Sequence, residues 1–538
     1  MSPDGHAAST AADARARDGD VRSTRAGIGV YKRAMSARRV LCLLAWAVLA
    51  WAGSASAQGE GPTLRVGVSA LPATLDPATA IDGPAALIAR QVFDTLVQYR
   101  EGGSDVEAGL ATQWAVSRDG LAWTFRLRDG VRFHDGTPLT AAHAAASLER
   151  QVFPGHALAP SAPAVAPRLF RGAPGVIKEI KALDARTLRI QLAQPYAPLP
   201  TVLGHAATGI GLPVPADGAS TRWIGTGPFA VAEVAPERIA LDAQRAYWGG
   251  QPRLARVAFL AEPDGARALE SRAIDVWMPD AAPGRRPGAV SVPGWRIGFL
   301  AIQTERDPLS RRKARAAIAA AIDPARIGAA VDPIAAPLTS FMPPGVWGRG
   351  AGSPVTQGDP AAARKHLAEA GLARGLSSTL LVVAGSEEQG RIAEALRASL
   401  APAGIALQLQ AVPAGEIMGL AQNGEHRMVL MEAQAEGGDP HLLLYPLSTS
   451  EAATKGSRAW NLSFYRNPRL DDLLIRASQL SFRLERQRVY ARAQQILAED
   501  LPWIPLYVRL HWAVVRPEVR GLRLHPSGQP RLDRVSLD

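Results

Sequence analysis

The chain has 538 residues, of which 47% are hydrophobic and 20% are charged, and its formal net charge is +11 at pH 7. A chain of this length exceeds one ordinary hydrophobic core, so two or more lobes are expected, and the composition excludes the disordered and fibrous classes. The excess of basic residues would suit an anionic partner. The richest basic run, Arg306–Arg315, has instead the spacing of a solvated helix face whose inner side is apolar.

Residues 35–57 have the pattern of a cleaved secretory signal peptide. Ser36–Arg39 is basic, Val40–Ala52 is an apolar run too short to span a bilayer comfortably, and Ala55–Ala57 is a small-residue cleavage site. Residues 1–34 are predicted to be a start-site artefact or a disordered leader. The general secretory route is favoured over the twin-arginine route, although Arg38-Arg39 is present.

Export has consequences for the partners and the chemistry of the mature chain. We predict that the mature chain is an exported, soluble protein, since no second apolar run is long enough to cross a membrane. A nucleic-acid partner is not expected for an exported chain. The only cysteine, Cys42, lies in the predicted signal peptide, so the mature chain has no disulfide, cysteine-zinc site or cysteine nucleophile.

The first half of the chain predicts strands, turns and helices in alternation. Leu64–Val68 and Thr187–Leu192 alternate as strands, Leu254–Leu260 is a third strand, and Ala85–Tyr99 has apolar residues at helical spacing. The block Val106–Arg150 shows the period-two alternation of apolar and polar residues that is typical of strands. The alternation covers Trp123–Leu127 and Val131–Phe133, and a turn at Asp129-Gly130 interrupts it. A second turn at Asp135-Gly136 precedes Thr140, which is placed to cap a helix over Ala141–Arg150.

Two glycine-rich or proline-rich stretches need an interpretation. Gly225–Phe229 could cradle a phosphate, but it lacks the lysine and the following helix of a phosphate loop, so a structural turn is favoured. Ala281–Pro293 is short and rich in proline and glycine. It is predicted to contain no helix.

The second half predicts an α/β lobe. Trp295–Gln303 is a strand that crosses into it. The pattern predicts a strand over Thr379–Ala384, a helix over Glu388–Leu400 and a second strand over Ile405–Leu409. This order requires that the two strands pair in parallel, with a right-handed crossover. Three further helices are predicted to begin at an Asp-Pro or Asn-Pro pair, which supplies a cap and a proline in the first turn, at Asp323, Asp359 and Asn467.

Five landmarks occur in a characteristic order: Leu110–Trp114, Phe133–Pro138, Gly225–Phe229, Tyr247–Pro252 and Leu501–Tyr507. Together they resemble the periplasmic oligopeptide-, dipeptide- and nickel-binding proteins of ABC importers, solute-binding protein family 5. Two departures are visible. His143 stands where the family usually has an acidic residue, and Ala281–Pro293 is shorter than its counterpart.

The resemblance implies an α/β, two-lobed periplasmic-binding-protein-like fold (type II, large cluster) with an extra β-rich subdomain in the first lobe. The implied boundaries are residues 58–97, 191–297 and 508–538 for the first lobe, 98–190 for the accessory subdomain and 298–507 for the second lobe. The implied hinge lies near Gly298 and Gln303 on one strand and near Leu506 and Leu510 on the other.

The resemblance also implies where a ligand would bind. Peptide binders of this family hold the ligand's amino group with an aspartate in a Trp-x-x-Asp-x-x-Asp/Glu-Pro segment. Glu436 takes that place here, Ala433 takes the place of the tryptophan, and Asp439-Pro440 matches the final pair. The alternatives are that Glu436 is a solvated loop acid and that Asp439 caps the helix after Pro440.

Other residues complete the set of candidates. Trp460, Asn461 and Tyr465 lie where the family places a loop that lines the cleft, although such residues often fill core. His134, His205 and His441 could bind nickel, but none belongs to a paired histidine motif, so structural roles are favoured and neither a metal nor a cofactor is expected.

The predicted function is an extracytoplasmic substrate-binding protein that captures a peptide or a similar small solute and delivers it to a membrane ABC permease, acting as a monomer. A secreted hydrolase is one alternative, but no G-x-S-x-G, H-E-x-x-H or supported S-x-x-K motif is present, so no enzyme is expected. A nickel- or metal-chelate-binding member is another alternative. A sensory protein with the same fold is a third. Peptide, metal chelate, opine and sugar remain open as ligands.

Overall fold

Two long antiparallel strands join two lobes in the computed structural model, which describes residues 61–538 except 82, 154, 161–168, 171–174, 216–220, 351–354 and 457–458. The predicted leader (1–34) and signal peptide (35–57) lie outside the described residues. The chain folds into a first lobe, an accessory subdomain attached to it, and a second lobe. Within the described residues, no helix is long and apolar enough to span a membrane.

The elements of the first lobe and its subdomain come first along the chain. They are β1 (Thr63–Val68), α1 (Gly83–Val92), β2 (Val97–Tyr99), β3 (Val106–Ala108), β4 (Ala111–Val116), β5 (Ala122–Leu127), α2 (Ala141–Val152), β6 (Ile177–Asp184), β7 (Thr187–Leu192), α3 (Leu199–Val202), β8 (Leu212–Pro215), β9 (Thr221–Ile224), β10 (Phe229–Ala235), β11 (Arg238–Ala243), β12 (Arg256–Ala261), α4 (Gly265–Glu270) and β13 (Val276–Met278).

The crossing strands and the second lobe follow. Their elements are β14 (Ala289–Ile302), α5 (Arg312–Ala321), α6 (Pro324–Val331), β15 (Ala335–Pro337), α7 (Pro360–Glu369), β16 (Leu376–Val383), α8 (Glu387–Leu400), β17 (Ile405–Val412), α9 (Ala414–Gln422), β18 (Met428–Gln434), α10 (His441–Ser448), α11 (Pro468–Gln479), α12 (Arg483–Asp500), β19 (Trp503–Val515), β20 (Val519–Arg520) and β21 (Ser536–Leu537).

One sheet runs through both lobes. Its strand order among the described residues is β10-β11-β12-β1-β13-β19-β14-β18-β16-β17, with β15 beside β19. The strands β14 and β19 therefore lie between the first-lobe strands and the second-lobe strands. The predicted parallel pairing in the second lobe is confirmed, because β16 and β17 are parallel with α8 between them.

The accessory subdomain contains most of the block Val106–Arg150, for which the sequence predicted strands, turns and a helix. Its antiparallel sheet has the order β4-β5-β7-β6 and packs against α2. The predicted capping by Thr140 is confirmed, since its hydroxyl accepts the N–H of His143 at 3.4 Å and His143 Nδ1 accepts the N–H of Thr140 at 3.2 Å. His143 thus performs the reciprocal half of a capping box, for which glutamate or glutamine is usual.

The cap permits a direct stability test. Replacing Thr140 by alanine should lower the free energy of unfolding by about 1 kcal/mol, because a backbone donor of the first turn loses its partner. Urea unfolding followed by tryptophan fluorescence measures this change. Thr454→Ala, at an exposed threonine without a helix to cap, is the control and should have little effect. Equal losses in the two variants would contradict the capping role.

Two local predictions were wrong. The helix predicted over Ala85–Tyr99 ends at Val92, and Val97–Tyr99 forms the strand β2 instead. The chain turns there because the buried Asp94 carboxylate accepts hydrogen bonds from distant groups of the first lobe. The strand predicted at Val131–Phe133 is a single bridge between Arg132 and Pro138, since two tight turns leave too few residues for a ladder.

Several other local predictions were confirmed. Asp323, Asp359 and Asn467 each accept backbone N–H groups at the start of the helix that follows them. Between β13 and β14 the chain has turns and no helix, as the proline and glycine content of Ala281–Pro293 predicted.

Candidate functional site

The segment Glu436–Gly438 lies where the second lobe touches the first. It follows β18, which pairs with β14 up to Gln434, and it forms a short 3-10 turn. Gly437 and Gly438 have φ values of +66° and +70°, a conformation that L side chains rarely adopt. A Cβ at Gly437 would meet the Tyr99 hydroxyl at 2.9 Å. The glycines therefore let the backbone of the second lobe approach the first lobe closely.

Glu436 faces polar groups of the first lobe. Its side chain is buried, with the residue 7% exposed, and its Oε2 lies 3.6 Å from His205 Nε2. His205 Nδ1 accepts the N–H of Ala207 at 3.1 Å, so a neutral His205 ring carries its hydrogen on Nε2, the atom that faces the carboxylate. The sequence alternative of a solvated loop acid is therefore wrong for this conformation.

Tyr99 completes this contact from the first lobe. Its hydroxyl donates a hydrogen bond to the Thr201 carbonyl oxygen at 2.9 Å. Burial raises the pKa of Tyr99, and the negative charge of Glu436 raises it further. The tyrosine therefore stays a neutral donor beside the acid, and the arrangement collects an acid and two donors at the lobe boundary.

Asp439 makes its contacts inside the second lobe. Its carboxylate is fully buried, accepts the N–H of His441 at 2.9 Å, and accepts Arg486 Nη2 at 2.8 and 2.9 Å. Burial alone would lower the pKa of Arg486, but the charge of Asp439 outweighs it and raises that pKa above its ordinary value. These contacts support the interpretation that Asp439 organises the start of α10.

The other cleft-loop candidates have different environments. Trp460 is 45% exposed. The buried Asn461 amide donates to the carbonyl oxygens of Thr449 and Tyr465, and the Tyr465 hydroxyl donates to Asp500. The hydrogen bonds of Asn461 and Tyr465 thus connect parts of the second lobe with one another, and the structure does not bring them to the first lobe as it brings Glu436.

Each of the three histidine candidates has a different set of contacts. His134 Nε2 donates to the Gly227 carbonyl oxygen at 3.1 Å, and burial lowers the pKa of His134. The rings of His441 and Tyr196 meet edge to face at 5.7 Å across the lobe boundary. In the part of the chain that the structure describes, no group of three or more His, Cys, Asp or Glu side chains could hold a metal ion.

The lobes touch at several further points. Ser104 Oγ donates to the Gly345 carbonyl oxygen at 3.2 Å, Asp105 forms an ion pair with Arg483, and the N–H of Ala197 donates to the Ser478 carbonyl oxygen at 2.6 Å. The turn between β2 and β3 supplies two of these contacts. The structure is therefore a closed arrangement of the two lobes.

An interruption in the pairing of β14 with β19 marks the crossing between the lobes. Strand β14 pairs with β19 from Ala289 to Pro293 and again from Ile297, with an irregularity between. Leu510 lies opposite Pro293, whereas Gly298 and Leu506 lie on the second-lobe side of the irregularity, and Gln303 follows the end of β14. A Cβ on Gly298 would lie only 2.0 Å from Cζ of the buried Tyr507 ring, so glycine is required there for packing.

Sequence reasoning missed most of the partners of Glu436. Tyr99 was not a candidate, and His205 was considered only as a metal ligand. No motif surrounds these residues, and each belongs to an element distant from Glu436 in the chain. Arg486 was also missed, because a buried arginine on a helix has the same sequence pattern as an exposed one.

Comparison with known proteins agrees with this architecture. Residues 105–455 match the family described as "Bacterial extracellular solute-binding proteins, family 5 Middle". The dipeptide-binding protein of Escherichia coli strain K12 is 27% identical over 485 residues, which cover 83% of this chain and 89% of that protein. Heme-binding protein A of Haemophilus influenzae is 27% identical over 504 residues, covering 87% and 91%.

A solved structure extends the comparison to three dimensions. The ABC transporter-associated periplasmic binding protein DppA from Helicobacter pylori, in complex with the peptide STSA, is 27% identical and superposes with a TM-score of 0.70, covering 89% of this chain and 99% of that one. The landmarks, the two lobes with their crossing strands and the family match agree, and the chain belongs to the bacterial extracellular solute-binding proteins, family 5.

Proposed function

We propose that this protein captures a short peptide or a similar small solute between its lobes and delivers it to a membrane permease of an ABC importer. The observation that carries the proposal is the position of Glu436, a buried carboxylate at the contact between the lobes. Relatives named as dipeptide-binding support the ligand class. The protein acts as a periplasmic monomer after removal of residues 35–57, with neither a nucleic-acid partner nor a catalytic step.

The closed contact suggests how ligand recognition would work. When the lobes separate, Glu436 and His205 are exposed to the opened cleft. A peptide ammonium placed there would form a charge-assisted hydrogen bond with the Glu436 carboxylate, which is stronger in a site without water. The ligand would then favour the closed state by its differential affinity for it.

Opening requires bending near the crossing between the lobes. We place this bend at the irregularity of β14 between Pro293 and Ile297, opposite Val508–Leu510 on β19. Leu510 lies opposite Pro293 at this irregularity, and Gly298 follows Ile297 directly. The segments 58–97, 191–297 and 508–538 would move as the first lobe together with the subdomain 98–190, while 298–507 would move as the second lobe.

Binding measurements test the role of Glu436. The isosteric variant Glu436→Gln should bind a free-amine dipeptide about 10 to 150 times more weakly, because it loses a charge-assisted hydrogen bond of about 1.5–3 kcal/mol. Isothermal titration calorimetry measures the affinity. An N-acetylated form of the same peptide should discriminate little between wild type and variant.

A control separates this effect from a general loss of charge. Glu425 is an exposed acid on the second lobe, so Glu425→Gln should retain the wild-type affinity. Unchanged affinity of Glu436→Gln for the free-amine peptide would overturn the assignment.

Native mass spectrometry of the purified protein addresses the ligand itself. We expect a co-purified mass that fragments as a peptide. A heme mass would instead favour the chemistry named for the Haemophilus influenzae relative, and a nickel chelate would favour the metal-binding alternative. Turnover of added peptides into amino acids would support the hydrolase alternative.

A further inference from the structure

A cavity bordered by Arg90 and Arg531 lies in the first lobe. It has a volume of about 70 Å³, and its walls come from the end of α1, from the β2–β3 hairpin and from the C-terminal segment between Gly521 and Arg534. At about 10–15 Å³ for each water molecule, this volume corresponds to roughly five to seven waters or to one small oxyanion. Tyr99 belongs both to this cavity and to the contact between the lobes. It lines the cavity, and its hydroxyl lies at the lobe boundary.

Arg90 is a buried cation in the wall of this cavity. The residue is only 9% exposed, and its one hydrogen bond to a described residue is a long contact of 3.4 Å from Nη1 to the Thr95 hydroxyl. It has no carboxylate within salt-bridge distance among the described residues. Burial lowers the pKa of Arg90 and the neighbouring Arg531 lowers it further, while the negative charge of Asp94 opposes part of this effect without reversing it. A buried charge in this situation is costly unless an anion compensates it.

The acids nearby are already engaged by other groups. Asp94 accepts hydrogen bonds from Thr226, Tyr247 and Trp248 at 3.0, 2.9 and 2.7 Å. Asp533 receives both Nε and Nη2 of Arg531 at 2.9 Å. Among the described residues, neither carboxylate thus forms a hydrogen bond or a close ion pair with the Arg90 guanidinium, and Asp94 acts on it only through its charge at longer range.

The acids of the cavity wall are also paired. Glu101 lies 3.1 Å from Arg523, and Glu107 lies 3.7 Å from Arg100 while accepting Gln98 at 3.0 Å. None of these wall acids is within ion-pair distance of Arg90 among the described residues, so donors of its guanidinium remain available to a ligand. A guanidinium presents a planar set of donors that matches a carboxylate or a phosphate in a two-point contact.

We infer that the cavity beside Arg90 binds a small oxyanion, a carboxylate or a phosphate, through the Arg90 guanidinium. The site adjoins the Glu436 contact at Tyr99, but it uses a different charged group, and the inference does not depend on the proposed peptide ligand. His525 connects the cavity to the lobe boundary, because its Nε2 lies 3.1 and 3.0 Å from the Arg100 and Gly103 carbonyl oxygens of the β2–β3 turn. A bound anion would therefore steady the turn that contacts the second lobe.

Thermal unfolding in defined salts tests the inference. Millimolar inorganic phosphate or acetate should raise the unfolding temperature of the wild-type protein above its value in sodium chloride of equal ionic strength. Arg90→Met should show no such rise. Arg488→Met, at an exposed arginine of α12, should respond as wild type does.

Calorimetry with the same anions supplies the affinity. Arg90→Lys keeps the charge but removes the planar fork, so it should fold and bind phosphate or acetate at least about tenfold more weakly than wild type. Comparing the two anions shows whether the site prefers a tetrahedral or a planar oxyanion, and Arg90-dependent binding of either supports the inference. Binding of neither anion to the wild type, or equal binding to wild type and Arg90→Lys, overturns it.

Discussion

Asp439→Asn should lower the free energy of unfolding by about 3–5 kcal/mol, because it leaves the Arg486 guanidinium buried without its counter-charge. Both side chains are almost completely buried, so solvent does not screen the pair. Asparagine has nearly the same shape and can still accept the N–H of His441, so the loss reports the charge rather than the packing. Urea unfolding followed by tryptophan fluorescence measures the change.

Two matched variants serve as controls for Asp439→Asn. Glu394→Gln removes one partner of an ion pair on the surface of α8, where both side chains are about half exposed, and should cost less than about 1 kcal/mol. The double variant Asp439→Asn/Arg486→Met removes both buried charges and should recover part of the loss. If Asp439→Asn costs no more than Glu394→Gln but weakens peptide binding, Asp439 contacts the ligand rather than organising α10.

Gly227→Ala should destabilise the protein by about 3 kcal/mol, since the added methyl group has no space. An ideal Cβ at Gly227 would lie 2.6 Å from the carbonyl oxygens of both Gln91 and Val92, and these are backbone atoms that cannot rotate away. The same turn is attached to the accessory subdomain through His134, whose N–H donates to the Gly225 carbonyl oxygen at 3.0 Å. The glycines of Gly225–Phe229 thus serve close backbone packing.

The control for this variant is a glycine with free space around it. Gly390 lies within α8, and a Cβ there meets no atom within 4 Å. Gly390→Ala should therefore stabilise the protein by about 0.5–1 kcal/mol, because alanine favours the helix and restricts the unfolded chain. Opposite signs for the two variants are expected in urea unfolding. A Gly227→Ala variant as stable as wild type would show that the turn tolerates a side chain and would reopen the phosphate-loop interpretation.

Features that depend on neighbouring residues along the chain could be predicted from the sequence. The caps at Asp323, Asp359 and Asn467, the capping box at Thr140 and the parallel order of β16, α8 and β17 all follow from local hydrogen bonding and side-chain periodicity. The ordered landmarks from Leu110 to Tyr507 identified the family and the two-lobed fold for the same reason, since each is a short segment with its own turn or strand chemistry.

Which distant side chains meet depends on how the chain packs in three dimensions. Glu436 was a candidate from the sequence, but its neighbours Tyr99 and His205 come from distant elements of the first lobe. The end of α1 at Val92 depends on hydrogen bonds that Asp94 accepts from far along the chain, and no local pattern predicts them. The cost of burying a charge depends on its surroundings in space. The pairing of Asp439 with Arg486 and the position of Arg90 in a cavity wall therefore depend on how distant segments pack together.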